Sequence, residues 1–509
     1  MKQKITFLLL AVFTTVLSAQ TVNIQGDPYG GNPYATITDA VFAANDGDVI
    51  LITGVHTETI SFGKSITLRG TDPTTDIIQA AATASNDGTG SRVINISRAE
   101  VTDVLTVTIE NLGIRHGNAD STTNGGGINV DKVTGLLTLK NLIIEDNYTA
   151  KNGGGVNFAG SNVDVIECTI KNNTSTLDGG GIIAAPNNGA GINCIVNIEQ
   201  SLVDSNTGRN GGGIYINGNN NSGNDFTIDI NVENSAVSNN TASSGSNGAG
   251  GGAIWSKVAE WLNDPAATNG GNINLKLVHA TLYNNSHAAT ARGGIRCTGT
   301  TGFLTNFSAF NSIIVKENTI AERAIDFTNV NTVEVINCIL GGLNSAPGPF
   351  LDTPAKNNIR GKTATQAGLT GTLTNEGGNT QVLAIAESSN SDDFCTASTG
   401  ISLPTVDQRG YTREGTPDAG AYEFGGVLST PDLVLGLSAN IYPNPARDIV
   451  HIEGLDNIEV LRFYSILGTL DKVIYNQSDA DVSDLSAGMY ILSIETSDNK
   501  KITKRLVIK

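Results

Sequence analysis

One phrase, Asn124-Gly-Gly-Gly-Ile128, constrains this chain more than any other because it keeps returning. It recurs as Asn152-Gly-Gly-Gly-Val156, Asp178-Gly-Gly-Gly-Ile182 and Asn210-Gly-Gly-Gly-Ile214, then more loosely as Gly251-Gly-Ala-Ile254 and Arg292-Gly-Gly-Ile295. The steps between the closing apolar residues are 28, 26, 32, 40 and 41. Self-similarity at such a period is the mark of a solenoid, in which each unit buries its apolar face only against its neighbours.

A second phrase accompanies the first: a short apolar run that closes on Asn. The runs are Leu142–Asn147, Thr169–Asn173, Leu202–Asn206, Ala236–Asn240, Thr281–Asn285 and Ile313–Asn318. Four or five residues with β-branched, alternating apolar positions predict a strand. Asn and Gly then supply the left-handed backbone that turns a corner. If every coil corners at the same place, Asn147, Asn173 and Asn206 stack into an inward ladder with hydrogen bonds along the axis. The predicted class is all-β, a parallel β-helix, right-handed by the crossover rule. It spans residues of about 34 to 345, in roughly ten or eleven coils and near 50 Å long at about 4.8 Å per coil.

The N-terminus, residues 1–19, has Lys2, Lys4, an apolar core Ile5–Leu17 and Ser18-Ala19. It reads as a secretory signal peptide, too short in its apolar core to prefer spanning a membrane. No Cys near the cut favours a lipid anchor, and no other transmembrane segment is expected. A net charge of −18 argues against nucleic acid and anionic lipid as partners. Aromatic residues are 5% of the chain, so the core must be aliphatic stacks. The five Cys lack CxxC spacing. Cys168 and Cys338 replace Ser201, Ser235 or Ala280 in the apolar run, as small stacked core residues rather than disulfide partners.

Thr36–Ala44 has helical spacing and Asn45-Asp-Gly-Asp48 ends it. A helix here would cap the open strand edge of the first coil. With Gly47-Asp48, Gly54, Glu58 and Lys64-Ser-Ile-Thr-Leu68-Arg-Gly70, the segment resembles the N-terminus of pectate-lyase-like right-handed β-helix proteins. Asp46 and Asp48 offer a calcium pair, but no further acidic ligand follows at loop spacing, so they are read as turn and helix stop. No cofactor or metal site is expected. Polar insertions at 186–191, 217–225, 243–250 and 258–271 are corner loops. Trp255 and Trp261 suit either a sugar-stacking platform or packing of the last of these loops.

Residues 20–345 are assigned to the β-helix and 346–425 to its end or cap. Gly377-Gly-Asn-Thr380, Asp407-Gln-Arg-Gly410, Arg413 and Asp418–Glu423 resemble the tail of bacterial "choice-of-anchor Q" repeat proteins. Arg409 and Arg413 among Asp407, Asp418 and Glu423 read as an ion-paired plug over the last coil, with an active site of these carboxylates as the alternative. Residues 426–438 are a linker. Residues 439–509 predict a small β-sandwich of short strands. Tyr442-Pro-Asn-Pro445, Asp481–Tyr490 and the basic end Lys500–Lys509 closely resemble the type A C-terminal sorting domain of type IX secretion in Bacteroidota. That resemblance implies type IX machinery as a partner, passage across the outer membrane, removal of the domain, and release or attachment at the cell surface.

For chemistry, Arg115 and His116 align beside Glu145 and Asp146, followed by Lys171 and Asp204. Alternating signs in one column are expected of a solvated face, yet Arg115, His116, Glu145 and Asp146 are the catalytic candidates. Lys151, Asn152, Asp178, Arg209 and Asn210 are the ligand-binding candidates. Lys151 and Arg209 lie about 10 Å apart, two coils along one face. Glycines there would let an extended ligand approach the backbone. The expected function is a secreted or surface β-helix that adheres or binds an extracellular glycan or a neighbouring cell, a reading the resemblance of the repeats to polymorphic outer-membrane adhesins favours. A polysaccharide lyase or glycosidase acting on acidic glycan, and a passive surface rod, stand as alternatives.

Overall fold

A computed structural model describes residues 20–26, 29–97, 104–186, 193–218, 226–244, 250–258, 271–288, 292–299, 304–317, 323–342, 356–428, 440–455, 457–465, 470–496 and 501–509. The expected signal peptide, Trp261, most of each corner insertion and most of the linker lie outside the described residues. The chain divides into two compact units, 1–427 and 428–509.

The first unit is a parallel β-helix. One coil runs through Leu137–Lys140, Ile143–Glu145, Tyr148–Thr149 and Val156–Ala159, four stretches that define faces I to IV. Across successive coils these faces form ladders of eleven, ten, six and nine strands. All ladder pairs are parallel except the first, where Thr21–Ile24 runs antiparallel to Val49–Thr53. Face I alternates cleanly: Phe226–Glu233 is buried and half-buried by turns through its eight residues, as a strand with one wet side requires. Inward residues stack on their own kind. Leu139, Val165, Ile198, Val232, Leu277, Ala309 and Val335 are register partners along face I. On face IV the apolar residue closing each glycine phrase does the same, Ile128, Val156, Ile182, Ile214, Ile254 and Ile295 in turn. Each fully buried side chain of this kind is worth about 1.5–3 kcal/mol.

The Asn corners divide the work between two neighbouring positions, where the sequence reading gave both jobs to one Asn. The residue that turns left-handed is the one before the ladder Asn: Asp146, Asn172, Ser205, Asn239 and Asn284, with φ between 52° and 55°. The ladder Asn itself faces inward. Asn147, Asn173, Asn206 and Asn240 are all at most 1% exposed. Each side-chain Nδ2 donates to the Oδ1 of the next, at 3.0 Å for Asn147 to Asn173 and for Asn173 to Asn206. A parallel corner between faces I and II is turned by Asn141, Glu167, Gln200, Asn234, His279 and Asn311.

The glycine phrases are packing devices. The first glycine of a run takes positive φ, 73° at Gly153 and 70° at Gly179. The second has no room for a side chain: a Cβ on Gly180 would lie 2.4 Å from the Gly212 carbonyl oxygen and 2.4 Å from Thr207 C. The third abuts the Asn ladder: a Cβ on Gly181 would lie 3.0 Å from Asn206 Nδ2. All three glycines of the 125–127 run are buried. This corrects the idea that they open the backbone to a ligand: what approaches closely is the next coil.

The capping helix spans Ile37–Ala43 behind a Thr36 N-cap. Glu58 accepts from the Ile37 and Thr38 amides at its N-terminus. Lys64 Nζ donates to the carbonyls of Val41, Phe42 and Ala44 at its C-terminus, so both ends of the helix dipole are compensated. Asp46 accepts from the Ser65 amide and Asp48 from the Asn45 amide, both at 2.7 Å, the bonds of a turn.

In the second unit, Asn440–Tyr442, Ile449–Glu453 and Asp479–Asp481 form one antiparallel sheet. Leu470–Tyr475, Ile458–Ser465, Gly488–Thr496 and Lys501–Ile508 form a second. Val450, Ile452, Leu461, Phe463, Leu492, Ile494 and Leu506 make a core of its own. Asn444, inside the Tyr442–Pro445 motif, donates to the Arg505 carbonyl and accepts from the Val507 amide, which pins the motif to the last strand.

Candidate functional site

One cluster of buried charge, Asp407, Arg409, Asp418 and Glu423, lies on the side of the coil stack. Residues 357–362 extend the last coil, Ile359 bridging Ile339. From the helix Ala364–Ala367 to Glu423 the chain then runs back along the outside, so it is a strap on the flank rather than a plug over the end. Its bonds record the path. Asn379 donates to Glu167 (2.8 Å), Gln200 to the Asp407 carbonyl (3.3 Å), Arg413 to Asn234 (3.0 Å), and the Ala421 amide to Thr281 (2.9 Å). The cause lies in face II. The column of Arg115, Glu145 and Lys171 passes through Asp204 and Ser238 to Tyr283 and Val315, and the column beside it carries Leu202, Ala236 and Ile313; these apolar residues pack with Leu369, Val382, Leu383 and Ile385 of the strap. An apolar patch of that length, interrupted only by polar side chains that bond within the protein such as Thr281, has to be covered.

Within the strap, Arg409 lies between Tyr411 and Tyr422, 4.3 and 3.8 Å from the ring centroids, and donates to Asp407 at 2.8 and 2.6 Å. Arg413 donates to Glu423 at 2.9 Å. Asp407 also accepts from the Tyr411 and Glu423 amides, and Asp418 from those of Asp393 and Phe424. Burial pushes the Asp418 carboxyl up to about 7 and raises Glu423. Asp407 and Glu423 are 0% and 3% exposed in side chain, and each has its oxygens turned to donors of the strap. They brace rather than face a substrate.

The catalytic candidates occupy the uncovered part of face II. Gln79, Arg115, Glu145, Lys171 and Asp204 are consecutive register partners. Lys171 pairs with Glu145 at 3.2 Å. Arg115 Nε donates to Gln79 at 3.0 Å. Asp204 accepts from Ser238, Asn239 and Ser205. His116 and Asp146 are left-handed corner residues, with His116 Nδ1 donating to the Ala81 carbonyl at 3.0 Å.

The ligand candidates sit between faces III and IV. Backbone bonds stack Lys151, Leu177 and Arg209 on three successive coils. Both cations are engaged: Arg209 grips Asp178 through two bonds of 3.1 Å, and Lys151 Nζ donates to the Thr122 carbonyl at 3.2 Å. Asn210 donates to Asp178 and the Asp178 amide to Asn152. Trp255 is 5% exposed and packs on Tyr215 and Ile183 of the coils before it. All five Cys are free and buried.

Face I carries a pair that the sequence reading passed over. Glu199 and Glu233 are register partners on adjacent coils. Burial raises both carboxyls, and Glu199 is raised further by Glu233. Asn197, Asn231 and Lys276 line the same shallow depression. Their shared place, one residue beyond an inward Ile198 or Val232 and two beyond an outward Asn197 or Asn231, is the available signal.

Among known proteins, a family described as a secretion system C-terminal sorting domain matches residues 440–509. No curated protein and no solved structure matches the chain.

Proposed function

We propose that this chain is a type IX secretion substrate whose β-helix is delivered to the cell surface or the medium and there binds an extracellular glycan. The observation that carries the export half is the sorting-domain match over 440–509, on a unit with its own antiparallel core. On this reading the unit is the address recognised by the secretion machinery and is removed after crossing the outer membrane. The binding half draws support from the coil stack: its outward faces repeat polar side chains at about 4.8 Å, which suits an extended, repeating ligand. In a host with type IX secretion, deleting residues 440–509 should hold the β-helix in the periplasm. Intact-mass analysis of the exported form should show loss of the C-terminal unit; retention of Lys509 on exported protein would refute its removal. A glycan array probed with the exported form tests the binding half.

The stacked Glu199 and Glu233 favour a second reading, glycoside hydrolysis. Two carboxyls about 4.8 Å apart in register, both raised by burial and Glu199 further by its neighbour Glu233, have the spacing of an acid and nucleophile pair. Release of reducing ends from a bound oligosaccharide, lost in Glu199→Gln, would establish it. Binding without release would reject it.

A further inference from the structure

Among the described residues, the outer side of face IV is closed in the middle coils and open at the coil of Ile94–Ser97. In the middle coils the first glycine of each run leans on the outward residue beside it: a Cβ on Gly179 would lie 2.9 Å from Ile183 Cβ, and on Gly211 2.8 Å from Tyr215 Cβ. Asn129 and Asn157 are accordingly 9% and 4% exposed. Register between Ile94–Ser97 and Ile128–Asp131, with the Val93 amide on the Gly126 carbonyl, sets Arg92 against the glycine run of the next coil, while Gly90 bridges Ala119 and the Ser91 carbonyl accepts from the Asn118 amide. Without a glycine run, this coil leaves a recess of about 330 Å³ lined by Thr59, Ser61, Ser91, Arg92, Asn95, Asp120 and Thr123. That volume falls in the roughly 300–1,000 Å³ range of small-ligand sites.

Its polar groups are held in place. Asn157 donates to Asn129, Asn129 to Asn95 and Asn95 to Ser61, at 2.8, 2.9 and 3.0 Å. This chain of amides aims the Asn95 carbonyl oxygen at Arg92, which donates to it at 3.0 Å through Nη1. Across the recess, Asp120 Oδ1 is fixed by the Thr122 amide and the Thr122 and Thr123 hydroxyls. One guanidinium and one carboxylate thus frame a set of hydroxyls, with charges that cancel. A rigid mixed set of donors and acceptors with zero net charge suits vicinal hydroxyls of an uncharged sugar; a uronate or sulfate would meet Asp120 as well as the field of a chain carrying −18.

We infer that the recess between Ser61, Arg92 and Asp120 is a binding subsite for a neutral sugar residue, with Arg92 and Asp120 each taking hydroxyls of the ring. The inference rests on the glycan-binding reading above and specifies where it acts and on which chemistry. The test uses the exported protein and an array of neutral hexose oligosaccharides with their uronic-acid counterparts beside them. The wild-type chain should bind neutral oligosaccharides, with affinity little changed between low and moderate salt. Arg92→Gln should weaken binding at least tenfold at unaltered melting temperature. Ser91→Phe, which fills the recess from an exposed position, should do the same by a steric route. Preference for the uronates, or affinity unchanged in both variants, would overturn the subsite while leaving glycan binding standing. No binding of either class by the wild-type chain would overturn the subsite and the glycan reading together.

Discussion

Replacing Asn173 by Ala removes one rung from the centre of the internal ladder, and the structure sets its cost. Asn173 is 0% exposed. Its Oδ1 accepts from the backbone amide of Asn147 at 3.1 Å and from Asn147 Nδ2 at 3.0 Å. Its Nδ2 donates to the Ile144 carbonyl at 2.9 Å and to Asn206 Oδ1 at 3.0 Å. Truncation leaves the Asn147 N–H buried without that acceptor, worth about 1–3 kcal/mol, and forfeits three further bonds at about 0.5–1.5 kcal/mol each. Because these bonds share atoms, the losses overlap, and about 3–5 kcal/mol is expected. The control stands next door. Asn172 is exposed and turns the corner at φ 55°, so Asn172→Ala should cost only the left-handed penalty of about 1–2 kcal/mol. Urea unfolding followed by far-UV circular dichroism measures both variants through the shift in midpoint. If Asn173→Ala costs no more than Asn172→Ala, the ladder carries no stability of its own and the reasoning fails.

Gly180→Ala should destabilise by about 1–3 kcal/mol through overpacking, since its Cβ would press on the Gly212 carbonyl and Thr207; an unchanged unfolding midpoint would show the coils can part there. His279 is buried under the strap and held well below the usual imidazole range by burial and then by Arg413, so it contributes stability above pH 6.5 that is lost as pH falls. His279→Asn, a residue the same corner uses at Asn234 and Asn311, should remove a slope of about 1.4 kcal/mol per pH unit below 6.5; parallel melting curves of the two proteins from pH 7 to 5 would refute the buried neutral ring. Arg413→Met strips Glu423 of its charge partner and should cost about 3–5 kcal/mol, seen as early protease cleavage within 369–423; cleavage elsewhere first would detach the strap from this ion pair.

What the sequence by itself determined is what repeats over a short span. Each glycine phrase and Asn run encodes its own corner, because left-handed backbone and the lack of a Cβ are properties of single residues. The aliphatic face I and face IV stacks follow from alternation of period two, and the Tyr442–Pro445 motif marked the second unit. The tertiary structure decided how those pieces share surfaces. Which of two adjacent residues turns the corner, Asn172, and which forms the ladder, Asn173, depends on the coils above and below. The strap lies on the flank and not over the end for a related reason: outward Leu202, Tyr283 and Val315 are covered by residues far along the chain, as Gln200 bonding to Asp407 across 207 positions shows. The recess at Arg92 is equally hidden, since it depends on how a coil without a glycine run sets Ser91 and Arg92 against the next coil. A local preference acts within a few residues and can be read from them, whereas a cover or an opening is a relation between segments that meet only when the coils stack.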